Sequence, residues 1–585
     1  MAKYTKSQQK RTFIIIVALC LIAALLVSAV LISAYRTNNK LFKNQTFVKA
    51  LAEACDITPR EVDQDFLDQF EYFRYSFHVM DDSGVNLYPY VILGTKDYAD
   101  SLLNKSEDDA SEETSSESET SSDTSDTSTE VSGQVYKKDY FIVPAYFTEK
   151  SDLALFRNLR YLSAVSAYDV ANISYSLAYL NYYAKYTGQT SSVSIDDVLD
   201  AMEIKNLKDM TAVSSLTKLE HLYLGQTALT SLKGVETLTS LKTLDVSNCA
   251  VTDVSAVTAL SNLEELLLSG NKLENLESLA SMTQLKTLDV SANALKDISA
   301  IKELTSLTAI SLSENKELED VSVLAGMTKL KTLYLSDTAV KDVDFVSGMT
   351  ALTALNVSTT KVTKLPDLSA LKELTTLNAS GADIAEVAGI HGNEKLTTVN
   401  LSDNEIVDVS NIYDLKALAT LNLSKNKIAD ISGLKDMPAI TTLNLSENKV
   451  SDVTDMGTKF TTLTSLDLSK NEIVEVAGLN GLKSLTSINL SDNKIKSVAD
   501  LALAFDPEKL KTLNLSGNSE INDWSKITTI YKSVTGKPSS SESSEASSDS
   551  SDTSNIISAI DIVLESYFSD MDDISEQQVL IQHQP

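Results

Sequence analysis

A leucine pattern with a period of 22 residues occupies the second half of this 585-residue chain. From Leu216 the sequence repeats L-x-x-L-x-x-L-x-L-S-x-N-x-I-x-D-[IV]-x-x-L, with two intervals of 23 residues and a last interval of 25. The asparagine-type position falls at Thr227, Cys249, Asn271, Asn293, Asn315, Thr338, Thr360, Ala382, Asn404, Asn426, Asn448, Asn471, Asn493 and Asn518. One unit cannot bury its own leucines, so the pattern predicts a solenoid of about 14 stacked units.

The spacing within a unit such as LATLNLSKNKIADISGL predicts a short strand, a turn and a convex segment. Strand alternation points Leu421 and Leu423 into the core and Asn422 outward. Asn426 is expected to turn the chain and to hydrogen-bond backbone groups of adjacent units. Asp430 is expected to cap the convex segment, as are its equivalents Asp253, Asp297, Asp342, Asp408 and Asp452.

This pattern is that of the leucine-rich repeat, and its 22-residue form with D-[IV]-S resembles bacterial internalins and eukaryotic phosphatase-regulating relatives. The resemblance implies an α/β solenoid, a leucine-rich repeat horseshoe, with a capped repeat domain over residues 201–531. It also implies that a protein ligand or a surface glycan binds to the concave face formed by the outward strand positions.

Most outward strand positions carry small polar residues, and protein interfaces draw most of their energy from large anchors. The larger exceptions are predicted to form a ligand-binding patch. They are His221, Tyr223, Glu265, Leu267 and Tyr334. The alternative is that they are irregularities which the repeat tolerates.

The sequence gives no motif for catalysis, for a metal ion or for a small-molecule cofactor. The repeated aspartates occur once per unit and lack the dense spacing of a calcium loop, and no phosphate-binding loop, HExxH or GxSxG is present. A net charge of −31 argues against nucleic acid, because binding phosphates needs clustered Lys and Arg. We therefore expect a non-catalytic protein.

An apolar stretch at residues 13–34 contains no charged residue and is long enough to cross a bilayer as a helix. Lys3, Lys6, Lys10 and Arg11 precede it, which favours a cytoplasmic N-terminus at residues 1–12 and an extracellular C-terminal body. The prediction is therefore a single-pass cell-membrane protein. The alternative is a signal peptide that is cleaved after Ala34.

The remaining segments are distinguished by composition. Residues 36–105 and 134–200 are rich in tyrosine and predict an α+β domain, with a hairpin around Asp82-Ser83-Gly84 and a helix over 151–187. Residues 106–133 form an acidic Ser/Thr-rich segment that predicts a disordered linker, and residues 534–554 form a second one. Residues 555–585 predict an amphipathic helix.

Together these features predict a membrane-anchored extracellular protein of a bacterium that mediates binding or adhesion. A second hypothesis is a cell-envelope scaffold, in which the Tyr-rich region and the C-terminal helix hold membrane-complex partners. A third hypothesis is an intracellular role like that of the phosphatase regulators.

Overall fold

The computed structural model describes residues 41–43, 45–78, 88–103, 130–131, 134–135, 140–143, 150–165, 207–521, 524, 527 and 534–535. The chain divides into two compact units, one that runs to Cys249 and one that begins at Ala250. The predicted membrane segment at 13–34 and the predicted C-terminal helix at 555–585 lie outside the described residues. Within the described ranges, no helix is both long enough and apolar enough to cross a bilayer.

The described part of the first unit combines three α-helices with a mixed sheet. A Phe cluster around Phe47, Phe70, Phe73 and Phe156 fills the core on one side of this sheet. The helices are α1 (Gln45–Ala54), α2 (Gln64–Leu67) and α3 (Lys96–Leu103), with 3-10 helices at Lys150–Leu155 and Val235–Thr237. The strands are β1 (Phe70–His78), β2 (Tyr88–Thr95), β3 (Glu130–Val131), β4 (Gln134–Val135), β5 (Tyr140–Val143), β6 (Tyr161–Val165), β7 (His221–Leu224) and β8 (Thr243–Asp245).

The main sheet of this unit has the order β5-β2-β1-β6-β7-β8. β1 and β2 pair antiparallel from Phe70↔Thr95 to His78↔Tyr88, as the predicted hairpin requires. β6 pairs parallel with β1 and with β7, the first repeat strand. The prediction of a helix over 151–187 is wrong at 161–165, which form a strand between two others, whereas Lys150–Leu155 is a 3-10 helix. Pairing on both edges outweighs the local helical preference.

The second unit is built on a long parallel sheet of short strands. Each repeat contributes one strand, and every neighbouring pair is in register at equivalent positions, for example Thr398↔Thr420↔Thr442. The strands are β9 (Glu265–Leu267), β10 (Thr287–Asp289), β11 (Ala309–Ser311), β12 (Thr332–Tyr334), β13 (Ala354–Asn356), β15 (Thr376–Asn378), β17 (Thr398–Asn400), β18 (Thr420–Asn422), β19 (Thr442–Asn444), β20 (Ser465–Asp467), β21 (Ser487–Asn489), β22 (Thr512–Asn514) and β23 (Val534–Thr535).

The convex segments that alternate with these strands are mostly 3-10 helices, at Ser255–Ala259, Glu277–Ser281, Ser299–Glu303, Ser322–Gly326, Asp344–Gly348, Ala477–Leu479 and Ala499–Leu503. A short helix, α4 (Met456–Lys459), takes this place once. In the middle of the unit the convex segments are extended instead: β14 (Lys364–Asp367) pairs parallel with β16 (Glu386–Gly389). The predicted capping by aspartate is confirmed, since Asp430 Oδ1 accepts the Ser432 N–H at 2.8 Å.

An asparagine ladder holds successive turns together. Asn426 Nδ2 donates to the carbonyls of Leu423 and Ser424 in its own turn and of Leu401 in the preceding turn. Its Oδ1 accepts the Ile406 N–H at 3.0 Å. One side chain therefore satisfies backbone groups of two turns, as the sequence predicts. The ladder is interrupted where Thr338 and Thr360 bond only to carbonyls of their own turns, and Ala382 has no side-chain polar group.

One buried polar side chain interrupts the apolar core of the second unit. Residues 22 apart on the convex side, Leu371, Leu415 and Met437, are buried and apolar, but the equivalent Asn393 is an amide with no exposed surface. Its Nδ2 donates to the Leu368 carbonyl at 3.1 Å. Its Oδ1 accepts no hydrogen bond from any described residue. Asn393 is therefore only half satisfied in the core.

The last turn of the second unit is covered, as the sequence predicts for a capped array. β23 pairs parallel with β22 through Leu513↔Val534 and Asn514↔Thr535. Trp524 and Ile527 are buried. The third predicted cap residue, Ile530, lies outside the described residues.

Candidate binding surface

Of the two predicted patch residues of the first unit, Tyr223 is buried against other side chains and His221 is half-buried. Tyr223 on β7 has no exposed surface and packs with Tyr72, Ala99 and Tyr161 under α3. Tyr72 and Tyr161 stack with their ring centroids 4.4 Å apart, and Tyr223 lies 5.3 Å from Tyr161. The expectation that Tyr223 stands exposed is wrong, because β6 and α3 place an aromatic cluster over this part of the sheet.

His221 lies beside this cluster on the same strand. Its Nδ1 is 3.1 Å from the Thr243 Oγ1 on β8, and its ring is 6.3 Å from that of Tyr161. Burial lowers the pKa of His221 to about 4, although the nearby Glu220 carboxylate acts in the opposite direction. His221 is therefore neutral at physiological pH and contributes a ring and a hydrogen bond rather than a charge.

A charged cluster next to His221 connects β1, α3 and the first repeat strand. The Arg160 guanidinium contacts Glu71 at 3.4 Å, Asp100 at 2.5 Å and Glu220 at 2.5 Å. Burial would raise the pKa of Glu220, but the hydrogen bonds and charges of Arg160 and Lys242 lower it overall. All three carboxylates contact the same guanidinium, so the cluster is an ion-pair network that holds these segments together.

The predicted patch residues of the second unit do not form a single cluster. Glu265 and Leu267 lie on β9, whereas Tyr334 lies on β12, with β10 and β11 between them. All three are buried, at 8%, 5% and 1% exposure. The structure therefore corrects the expectation of exposed anchors at these positions, while a role of these residues in ligand binding stays a prediction.

A regular array of small polar side chains covers the outward side of the sheet from β13 to β22, and we call it the polar strand face. Its three rows run across the strands: a hydroxyl row of Thr and Ser that is interrupted by Ala354, an amide row of Asn that is interrupted by Asp467, and a serine row. The rows are Ala354, Thr376, Thr398, Thr420, Thr442, Ser465, Ser487 and Thr512; Asn356, Asn378, Asn400, Asn422, Asn444, Asp467, Asn489 and Asn514; and Ser358, Ser380, Ser402, Ser424, Ser446, Ser469, Ser491 and Ser516.

Local hydrogen bonds fix the orientation of the amide row. Asn400 Oδ1 accepts both the N–H and the hydroxyl of Ser402, at 3.2 and 2.8 Å. Asp467 makes the same two bonds with Ser469, at 2.8 and 2.6 Å. In both residues one oxygen is therefore bound to the serine two positions on, and the other oxygen of Asp467 accepts a hydrogen bond from Asn489 Nδ2 at 3.2 Å. An aspartate fits this arrangement as well as an asparagine does.

An isolated acid in the corresponding row near the start of the second unit shows what burial does here. Burial raises the pKa of Asp289, and its hydrogen bonds to Ser291 act in the opposite direction. The Asp289 carboxyl is thus poorly solvated even though its strand position faces away from the leucine core. Small side chains between strands about 4.8 Å apart leave little room for water.

No group of three or more potential metal-ligating side chains occurs in the part of the chain that the structure describes. On the convex side His391 stacks on Tyr413 with the ring centroids 5.0 Å apart, and the Lys435 ammonium lies 5.6 Å from the Tyr413 ring. These three residues are 22 apart in sequence and form a surface ladder of the repeat.

Sequence comparison matches three family models along the repeats. A model described as "Leucine-rich repeat region" matches residues 184–391, "Leucine rich repeat" matches 394–450, and "Leucine Rich repeats (2 copies)" matches 461–503. No curated protein sequence matches the chain.

Comparison with solved structures finds other repeat proteins at low identity. An internalin (inlF) from Listeria monocytogenes is 26% identical, with a TM-score of 0.46, over 55% of this chain and 88% of that chain. A Leptospira interrogans leucine-rich repeat protein is 22% identical, with a TM-score of 0.44, over 56% and 91%. The ectodomain of the Arabidopsis thaliana receptor kinase GASSHO1/SCHENGEN3, solved with CASPARIAN STRIP INTEGRITY FACTOR 2, is 18% identical, with a TM-score of 0.42, over 63% and 54%.

Leucine-rich repeat domains generally mediate protein binding and are typically non-catalytic. The 22-residue period, the in-register parallel sheet and the three family matches lead to one conclusion: this chain is a leucine-rich repeat protein.

Proposed function

We propose that this protein is a non-catalytic, membrane-anchored binding or adhesion protein of a bacterium, with its repeats outside the cell. Residues 13–34 are the anchor, and a protein or glycan ligand binds to the outward side of the repeat sheet. The observation that supports this most strongly is the in-register parallel sheet of the second unit, because it holds equivalent side chains of consecutive repeats in straight rows. Such a surface suits recognition of an extended ligand.

The internal bonding of the repeats supports the same proposal. The Asn ladder and the aspartate caps fix the backbone of each turn, so a ligand meets a surface that needs little ordering when it binds. Preorganised surfaces lose less free energy to ordering. Catalysis would require a cluster of perturbed acid, base or nucleophilic groups, and the strongly shifted His221 is held by Thr243 inside a structural cluster.

The binding proposal is tested by blocking the sheet surface in the full-length protein. Thr420→Arg places a long charged side chain on the outward side of β18, while Ser432→Arg places the same side chain on the exposed convex side. We expect cells that carry Thr420→Arg to lose adhesion to the target surface and cells that carry Ser432→Arg to retain it. Equal adhesion of both variants would reject the sheet as the binding surface.

The topology is tested separately with a membrane-impermeant amine reagent on intact cells. The repeats carry many exposed lysines, such as Lys302 and Lys316, so an external array is labelled without permeabilisation. Labelling only after permeabilisation would reject the proposed orientation. Crosslinking in intact cells distinguishes adhesion from the scaffold hypothesis, since a scaffold yields only membrane-complex neighbours.

A further inference from the structure

Two tyrosines lie side by side at the edge of the sheet in the first unit. Tyr98 belongs to α3 and Tyr140 to β5, and their ring centroids are 4.9 Å apart with the ring planes inclined by 37°. Tyr140 is 44% exposed, and Tyr98 is half-buried beside it. The pair therefore combines ring contact with access from solvent.

A glycine on the neighbouring strand creates the space for this pair. Gly94 on β2 is the cross-strand partner of Tyr140, and a Cβ added to Gly94 would lie 2.2 Å from Cδ1 of Tyr98. The Tyr98 ring therefore takes the place that a side chain at position 94 would occupy, directly beside Tyr140. Since α3 begins at Lys96, immediately after β2, the backbone of this short connection holds the Tyr98 ring there.

A row of tyrosine rings leads from this pair into the interior of the first unit. Tyr98 contacts Tyr72 at 5.2 Å between ring centroids, and Tyr72 stacks on Tyr161 at 4.4 Å. Electrons transfer readily between aromatic rings in contact, so an oxidising equivalent at an inner ring can be passed outward. A phenol that loses an electron also releases its proton, and water takes up that proton most readily at the exposed end of the row. Tyrosyl radicals should therefore collect at Tyr98 and Tyr140.

We propose that Tyr98 and Tyr140 form an oxidative cross-linking site, at which a haem peroxidase acting with hydrogen peroxide couples the two phenols into dityrosine. Each phenol gives one electron to the oxidant and its hydroxyl proton to water, which leaves unpaired spin on the ring carbons next to the oxygen. A Cε–Cε bond joins the two radicals, and both rings regain their hydroxyls when the hydrogens of these carbons leave as protons and the oxygens are reprotonated by water. One hydrogen peroxide is reduced to two waters, and the pair loses two hydrogen atoms in all.

The bond would tie α3 to the edge strand β5 and close a loop that contains the acidic segment at 106–133. A cross-link of this kind restricts the unfolded chain, as a disulfide does. The chain has only three cysteines, so tyrosines are its more abundant source of covalent cross-links. This role is independent of the ligand that the repeats bind.

The experiment treats the detergent-solubilised full-length protein with a haem peroxidase and hydrogen peroxide and then maps cross-linked tryptic peptides by mass spectrometry. Trypsin releases Tyr98 in peptide 97–105 and Tyr140 in peptide 139–150. We expect these two peptides to be recovered as one species that has lost two hydrogen atoms, with fragmentation placing the bond at Tyr98 and Tyr140. Tyr72 and Tyr161 lie closer together but are buried, and they should stay unlinked.

Three substitutions separate the phenol chemistry from the packing of the rings. Tyr140→Phe and Tyr98→Phe each keep the ring and remove one phenol, so both should abolish the linked species. Tyr413→Phe is the matched control, because Tyr413 is also partly exposed but stacks on His391 rather than on another tyrosine. This control should give as much of the linked species as the wild type does.

A mixture of heavy-isotope-labelled and unlabelled protein distinguishes links within one chain from links between chains. The proposal requires only light–light and heavy–heavy species of the linked peptides. Mixed light–heavy species would overturn it, because Tyr140 would then couple to a second copy. Absence of the Tyr98–Tyr140 link in the wild type, whether or not other tyrosines couple, would overturn it as well, and so would an equal yield of a link between Tyr72 and Tyr161.

Discussion

Asn393 and Asn426 are both buried in the second unit, but replacing each by leucine should change the free energy of unfolding in opposite directions. Asn393 occupies a core position that is Leu371 and Leu415 in the neighbouring repeats, and its Oδ1 accepts no hydrogen bond from a described residue. An unsatisfied buried acceptor destabilises a protein by roughly 1–3 kcal/mol, and replacing Asn393 by leucine removes that penalty. The same substitution loses the hydrogen bond of Nδ2, which is worth about 1 kcal/mol. The Leu368 carbonyl keeps the Leu371 N–H at 2.9 Å. We expect Asn393→Leu to stabilise the protein by about 1 kcal/mol.

Asn426→Leu is the matched comparison. This change removes the three donations of Nδ2 and leaves the Ile406 N–H without its acceptor in the core. Loss of several bonds together with one unsatisfied buried donor is expected to destabilise the protein by about 3 kcal/mol or more. The two substitutions are chemically identical, so their difference isolates hydrogen-bond satisfaction from the gain in apolar volume.

The assay is urea unfolding followed by the fluorescence of Trp524, the only tryptophan of the chain. The midpoint should rise for Asn393→Leu and fall for Asn426→Leu at an unchanged slope. Asn393→Met, with a more flexible side chain like that of Met437, controls for overpacking. If both Asn393 variants lower the midpoint as Asn426→Leu does, the reasoning from the unmatched acceptor is refuted.

Three further predictions concern the clusters and close contacts described above. His221 has a pKa of about 4 when folded and about 6.5 when unfolded. The contribution of His221 to the free energy of unfolding should therefore be intact above pH 6.5 and fall by about 2 kcal/mol towards pH 4.5. His221→Gln should reduce this pH dependence of unfolding. Arg160→Met should lower the free energy of unfolding by about 2 kcal/mol, and an unchanged thermal midpoint would contradict this. Gly478→Ala should destabilise by about 2 kcal/mol, because its Cβ would lie 2.2 Å from the Val453 carbonyl oxygen, whereas Gly326→Ala, with no atom within 4 Å, should stabilise slightly in the same urea assay.

The sequence is a good guide to the repeats because local spacing determines most of their structure. The alternation of Leu421 and Asn422, the role of Asn426 and the cap at Asp430 all follow from residues within one repeat and its neighbour. The same pattern does not reveal that convex segments such as Lys364–Asp367 are extended rather than helical, since both conformations bury the same apolar positions.

The candidate site was harder to predict because burial depends on distant contacts. Tyr223 looks like an exposed anchor in its repeat, but Tyr161 and Ala99 come from segments that no repeat pattern places beside it. The rows of the polar strand face are visible in the sequence, whereas the bonds that occupy the side-chain oxygens of Asn400 and Asn444 require coordinates.

The interruption of the asparagine ladder leaves a segment of low mechanical resistance in the second unit. Around Thr338, Thr360 and Ala382, no residue at the ladder position donates a side-chain bond to the preceding turn, although the turns on either side are joined in this way by Asn315 and Asn404. Under tension the repeat array would therefore part first between these turns, and the outer segments would remain coiled. Force spectroscopy should show a low-force unfolding step that Thr360→Asn abolishes. An unchanged trace would mean that the turns around Thr360 resist force as well as the neighbouring turns do.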